Sequence, residues 1–144
     1  MNNFLRFSVI PVLALALNWA TPSHAQVKAV KGRQDLIDRG RYIVESVAMC
    51  EQCHTPRDAQ GQPIRDRWLM GGPTQLHASY PSADWAVIEP RIAGTPPGTD
   101  EEIIRLLTTG ISRTGRPPRP PMPPFRMTHD DAEAVLAYLK SLPH

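Results

Sequence analysis

Only two of the 144 residues are cysteines, Cys50 and Cys53. Small secreted domains are stapled by cysteines spread along the chain, and a bridge across two intervening residues closes almost no loop. A disulfide framework is therefore excluded, and with it a zinc site built on two cysteine pairs. A large excess of either charge is missing too: the formal net charge is +2. Nucleic acid and anionic membrane surfaces both call for a concentrated basic excess, so neither is expected as the main partner. No internal repeat and no convincing strand pattern is visible, which leaves helices and loops.

What is present begins with an unusual first stretch. Arg6 supplies a positive start, residues 9–17 are almost wholly apolar, and Ser23-His24-Ala25 forms a small-x-small site. This is the pattern of an export leader cut after Ala25. The apolar run falls short of the roughly 20 residues of a spanning helix, and no cysteine stands at its end to carry a lipid. The division is thus a signal peptide over residues 1–25 and one domain over residues 26–144, with a periplasmic location. A membrane association arises only if the first segment is retained as an anchor. All of the acidic residues, and all of the basic ones but Arg6, lie in residues 26–144.

Sixteen prolines are many for this length, so much of the chain must be loop, and a small loop-rich domain is short of core. Residues 26–33 read as polar and loose. From Asp35 a helical pattern sets in, with Leu36, Gly40, Ile43 or Val44, and Val47 on one face, ending near Met49. Residues 55–98 are broken by prolines and Gly71-Gly72-Pro73 into a wrapping loop. Thr99 and Glu102 have capping-box spacing ahead of an apolar face of Ile103, Leu106 and Leu107, with Gly110 as terminator; Glu101 and Arg105 are spaced to pair. After the Pro- and Arg-rich residues 113–124, a last helix starts at Thr128, buries Ala132, Val135, Leu136 and Leu139, and stops at Pro143.

Cys50-Glu51-Gln52-Cys53-His54 is a C-x-x-C-H sequence, the attachment signature of haem c. Two intervening residues let both sulfurs reach one edge of a macrocycle from a single turn. His54, next in line, then falls under the iron as an axial ligand. Such a crosslink also supplies the missing core. A thioredoxin-like dithiol would follow a strand in a β-α-β context, which is lacking here. Without a second strong ligand the iron would be open to exchange, and the protein would be a haem enzyme or ligand sensor. With one it carries electrons. Among the candidates, Met122 lies in Pro120-Pro121-Met122-Pro123-Pro124-Phe125, where flanking prolines give a stiff extended strap. Met127 precedes the last helix as a packing residue, Met49 adjoins Cys50, and Met70 lies in the wrapping loop. His/Met ligation raises the potential relative to nitrogen-only ligation.

The order Gly40-Arg41-Tyr42-Ile43-Val44, Cys50 to Pro56, Met122-Pro123-Pro124-Phe125 and Val135-Leu136-Ala137-Tyr138-Leu139-Lys140-Ser141-Leu142 resembles class I c-type cytochromes. More narrowly, it is similar to the cytochromes and cytochrome subunits that serve periplasmic alcohol and aldehyde dehydrogenases. The resemblance implies an all-α, class I cytochrome c fold, with N- and C-terminal helices crossing at Gly40 against Val135 and Tyr138, and large Pro-rich loops around one covalently bound haem c. It implies Cys50 and Cys53 as the thioether residues, His54 as proximal and Met122 as distal ligand, and backbone near Gly71-Gly72-Pro73 as acceptor of the His54 ring proton. It also implies electron transfer without bond chemistry, from an upstream dehydrogenase to a downstream cytochrome or oxidase. Arg113, Arg116, Arg119 and Arg126 would then surround the exposed edge and steer an acidic partner. Trp68, Tyr80 and Trp85 would pack on the haem, one donating to a propionate.

Overall fold

The computed structural model describes residues 24–143; the proposed leader, but for its last two residues, lies outside them. Helix α1 spans His24–Tyr42 and runs into a wider π turn, Ile43–Val47. The short α2, Glu51–His54, comes next. After a 3₁₀ turn at Arg65–Arg67 come two-residue strands β1, Gly72–Pro73, and β2, Ile88–Glu89, then α3, Asp100–Thr109, and α4, His129–Ser141. The strands pair antiparallel, Gly72 opposite Glu89 and Pro73 opposite Ile88. The fold is thus helical with little strand, in agreement with the expected class apart from that small ladder.

Helix α1 begins at His24, so the stretch over 26–33 expected to be loose is helical. No proline occurs between Pro22 and Pro56, and nothing in that span breaks a helix once started. The expected apolar face is also revised. Gly40, Ile43 and Val44 are buried, whereas Leu36 and Val47 lie 36% and 57% exposed. The π turn explains Val47. Ala48 N–H reaches back to Ile43 O at 2.7 Å, which adds a residue to the turn and rotates the side chains beyond it. Ala48 takes the core-facing place instead. Met49 then adopts a left-handed conformation, φ 47°, which ends the helix and turns the chain into Cys50.

Helices α1 and α4 cross at Gly40. A Cβ there would lie 1.9 Å from Ala134 O and 2.8 Å from Tyr138 Cβ, so only glycine permits the approach. The expected partner Val135 is buried in the core, but the contact at Gly40 itself is made by Ala134 and Tyr138. Around the crossing, Arg39 Nε donates to Asp131 Oδ1 at 2.9 Å, and the Tyr138 hydroxyl donates to Glu45. Arg41 lies over the Tyr138 ring, 5.8 Å from its centre. The core joins Ile43 and Val44 to Leu69, Ala93, Ile103, Leu107, Ala132, Val135, Leu136, Tyr138 and Leu139.

Both capped starts form as their sequences predict. In α3, Glu102 N–H donates to Thr99 Oγ1 at 3.3 Å and Thr99 N–H to Glu102 Oε2 at 3.0 Å, while Gly110 closes the helix at φ 66°. Thr128 Oγ1 accepts from Asp131 N–H at 3.2 Å. Glu101 and Arg105 form no ion pair among the described residues; Arg105 donates instead to Ser112 O. Thr99→Ala should lower unfolding stability by about 1 kcal/mol, read from the urea midpoint of the holoprotein; an unchanged midpoint would mean the cap adds nothing.

Candidate haem-binding site

Residues 50–54 form one tight turn. His54 N–H donates to Cys50 O at 2.9 Å and Cys53 N–H to the same oxygen at 3.3 Å, so both thiols and the imidazole project from a single helical turn. Both cysteines are free and partly exposed. Burial pushes the Cys50 thiol up to about 12, with Glu51 adding to it, and burial also raises Cys53. A dithiol built for redox exchange has a depressed pKa. These thiols shift the other way.

His54 is 8% exposed. Its Nδ1 lies 2.8 Å from Pro90 O. A carbonyl only accepts, so Nδ1 carries the proton and Nε2 keeps a free lone pair. Burial lowers the His54 pKa, opposed by the Pro90 bond, and the ring is neutral at pH 7. A neutral imidazole fixed by a backbone acceptor on its far nitrogen is what an iron ligand requires.

The acceptor is Pro90, not the expected Gly71-Gly72-Pro73 backbone. The glycines act differently. Gly71 N–H donates to His54 O at 2.7 Å, and a Cβ on Gly71 (φ 70°) would lie 2.4 Å from Glu89 O and 2.5 Å from Arg91 N. Gly71 thus admits the 89–91 backbone, and β1–β2 pairing sets Pro90 beside the ring. Thr55 Oγ1 accepts from Leu69 N–H at 3.0 Å, and Leu69 O accepts from Ile92 and Ala93, which tie the same loop down. A backbone carbonyl has no signature in sequence, so the role of Pro90 was not legible there. Glu89, 6% exposed, was also missed. Burial raises its pKa, against an opposing effect of Thr74, and its Oε1 has no hydrogen-bond partner among the described residues.

Pro90 also lines an open cleft of about 280 Å³ with Pro97, Ile103, Leu106, Ser112 and Arg113. The cleft also takes in Glu102, and neither the thiols nor His54 line it; the two free thiols and the Nε2 lone pair of His54, set on one turn, are by themselves the donor set that a covalently attached macrocycle with a metal at its centre would need.

Met122 sits elsewhere in the chain, half-buried. Its strap is not extended as expected: Met122 N–H donates to Arg119 O at 3.2 Å, closing a turn over residues 119–122. Met70 and Met127 pack against the core, while Met122 does not. Met49 is 51% exposed. The strap and His54 meet through residues 84–90: Ala86 N–H donates to Pro120 O at 2.7 Å, while Pro90 holds the imidazole at the other end.

The pattern of the cytochrome C oxidase, cbb3-type, subunit III family matches residues 35–139. The chain belongs to this family of cytochrome c domains. A diheme cytochrome c-type protein of Cereibacter sphaeroides is 30% identical over 115 residues, covering 74% of this chain and 35% of the relative. The cytochrome c subunit of a quinone alcohol dehydrogenase from Gluconacetobacter polyoxogenes is 29% identical over 133 residues, 85% of this chain and 28% of the relative. The fructose dehydrogenase cytochrome subunit of Gluconobacter japonicus is 27% identical over 116 residues, 74% of this chain and 22% of the relative. The cytochrome c domain therefore spans about a third or less of these relatives.

Trp85 Nε1 donates to Leu76 O at 2.8 Å, so that indole is already engaged. Trp68 packs on the core beneath Arg65, 4.9 Å from its ring centre, and Tyr80 is 61% exposed. Of the four arginines, Arg119 and Arg126 donate to backbone carbonyls. None of the four pairs with a carboxylate among the described residues. No helix among the described residues is long and apolar enough to cross a membrane.

Proposed function

We propose that the cytochrome c domain is a periplasmic single-haem electron carrier, receiving electrons from a dehydrogenase-type donor and delivering them to a downstream cytochrome or oxidase. Cys50 and Cys53 hold the haem c through thioethers, His54 is the proximal ligand and Met122 the distal one. The observation that carries the reading is the buried His54, whose Nδ1 donates to Pro90 O so that Nε2 keeps its lone pair, on the same turn as two free thiols. The bound haem supplies a reversible one-electron couple. The protein's own part is to orient the ligands, exclude water and perform no bond chemistry. The cytochrome subunits among its relatives support a dehydrogenase as donor. The charges of Arg113, Arg116, Arg119 and Arg126, paired with no carboxylate among the described residues, favour an acidic partner surface. Residues 1–25 act as the export leader, a reading that mass spectrometry of the exported protein tests through a mature start at Gln26.

The deciding measurement is the visible spectrum, oxidised and reduced, with and without carbon monoxide. The native protein should be low-spin in both states, show the far-red sulfur-to-iron band when oxidised, and ignore carbon monoxide. Met122→Ala should abolish the band and let carbon monoxide bind. A native protein that binds carbon monoxide readily would point instead to an exchangeable iron, and a band that survives Met122→Ala would remove Met122 as ligand.

A further inference from the structure

The strap from residue 117 to 124 contains six prolines, Pro117, Pro118, Pro120, Pro121, Pro123 and Pro124. Proline has no N–H, so Arg119 and Met122 provide the only backbone donors across that span. The Met122 donor is spent inside the turn, on Arg119 O. A segment so poor in backbone donors must be tied down by side chains or by donors on its neighbour.

Both ties are present, and they converge on one spot. Arg119 Nε donates to Asp84 O at 3.1 Å, and a second guanidinium nitrogen donates to Trp85 O at 3.0 Å. Ala86 N–H donates back to Pro120 O at 2.7 Å. Three successive residues of the middle loop thereby grip Arg119 and Pro120, three and two residues before Met122. The loop is braced in turn by the Trp85 indole on Leu76 O.

We propose that Arg119 is a positioning residue for the distal ligand: its guanidinium clamps the proline strap to the carbonyls of residues 84 and 85 and so limits the excursions of Met122. The inference rests on Met122 ligation as proposed above. A guanidinium suits the task because its donors form a rigid fork that engages two acceptors at once. Lysine presents one compact ammonium and cannot reproduce the fork. A thioether binds iron weakly enough that its occupancy depends on how tightly the protein holds it. Loosening the strap therefore shifts the ligand between bound and detached states without removing it.

The test compares Arg119→Gln, Arg119→Lys, Arg67→Gln and Met122→Ala as purified holoproteins. Arg67 is exposed, lies outside the arginine group around the strap and controls for loss of one positive charge. The readouts are the far-red band, the reduction potential and the carbon monoxide binding rate of the reduced protein. Arg119→Gln should bind carbon monoxide about tenfold faster than the native protein, as expected when losing a charge-assisted bond raises the open population, with a weakened band and a lowered potential. Arg119→Lys should fall between the two, and it keeps the test open if the glutamine protein does not accumulate. Arg67→Gln should match the native protein. If Met122→Ala loses the band while both Arg119 variants behave as native, the clamp is refuted and the ligand assignment stands. Equal effects of Arg67→Gln and Arg119→Gln would assign the change to charge alone and also refute it. If the band survives Met122→Ala, the ligand assignment itself fails.

Discussion

Gly40→Ala should destabilise the protein, and Gly40→Val should do so by about 3 kcal/mol or more, although both replace a glycine inside a helix. The expectation runs against propensity, since alanine in a helix interior is worth roughly 0.5–1 kcal/mol over glycine. Sterics decide the sign. A Cβ at Gly40 meets the Ala134 carbonyl oxygen at 1.9 Å and its carbon at 2.5 Å. These are backbone atoms of α4 and cannot swing aside as a side chain can. Relief requires the α1–α4 crossing to open, which separates Ile43 and Val44 from Val135 and Tyr138 in the core. Against a typical total stability of about 5–15 kcal/mol, the valine protein should barely accumulate. Gly32 is the internal control, because a Cβ there meets nothing within 4 Å. Gly32→Ala should raise stability by about 0.5–1 kcal/mol. Urea unfolding of the holoproteins reads both. Equal signs for the two alanine variants would mean that the helices do not cross at Gly40.

The double variant Cys50→Ser, Cys53→Ser should lose covalent haem completely, seen as no haem stain at the band of the denatured protein. Each single variant should retain some stain through its remaining sulfur. The reason lies in the turn at residues 50–54, where Cys53 and His54 N–H both donate to the Cys50 carbonyl and both thiols are free. Under the proposed attachment the haem would serve as core for a domain with few large buried side chains, so the unattached protein should also lose its cooperative unfolding transition. Haem stain that persists in the double variant would place the attachment outside residues 50–54.

Much of the fold and of the 50–54 turn was legible in sequence because the causes are local. The Thr99 and Thr128 caps, the Gly110 stop and the 50–54 turn each depend on residues a few positions apart. The buried face of α4 comes from helical spacing alone. The features that escaped have a different origin. The early start of α1 reflects the absence of any breaker rather than a positive signal. The π turn moved Val47 out and Ala48 in, and one inserted residue leaves no mark on an apolar pattern. Pro90 acts through its carbonyl, which every residue possesses. Gly71 could be seen as a turn former, but its neighbours, Glu89 and Arg91, are brought close only by the β1–β2 pairing. Arg119 looked like one of four similar surface charges until its carbonyl partners proved to lie in the middle loop, at Asp84 and Trp85, whereas those of Arg126 are its own chain neighbours.

His54 is held at both ends, its ring by Pro90 and its main-chain carbonyl by Gly71, inside a pocket that water hardly reaches. Under the proposed ligation, the bonds around the redox centre have little room to lengthen or tilt when its charge changes. Dipoles that are already in place need not turn. The reorganisation energy of the exchange should accordingly be small, and the speed of electron transfer would then be governed by how closely a partner can approach and by the difference in potential between the two proteins.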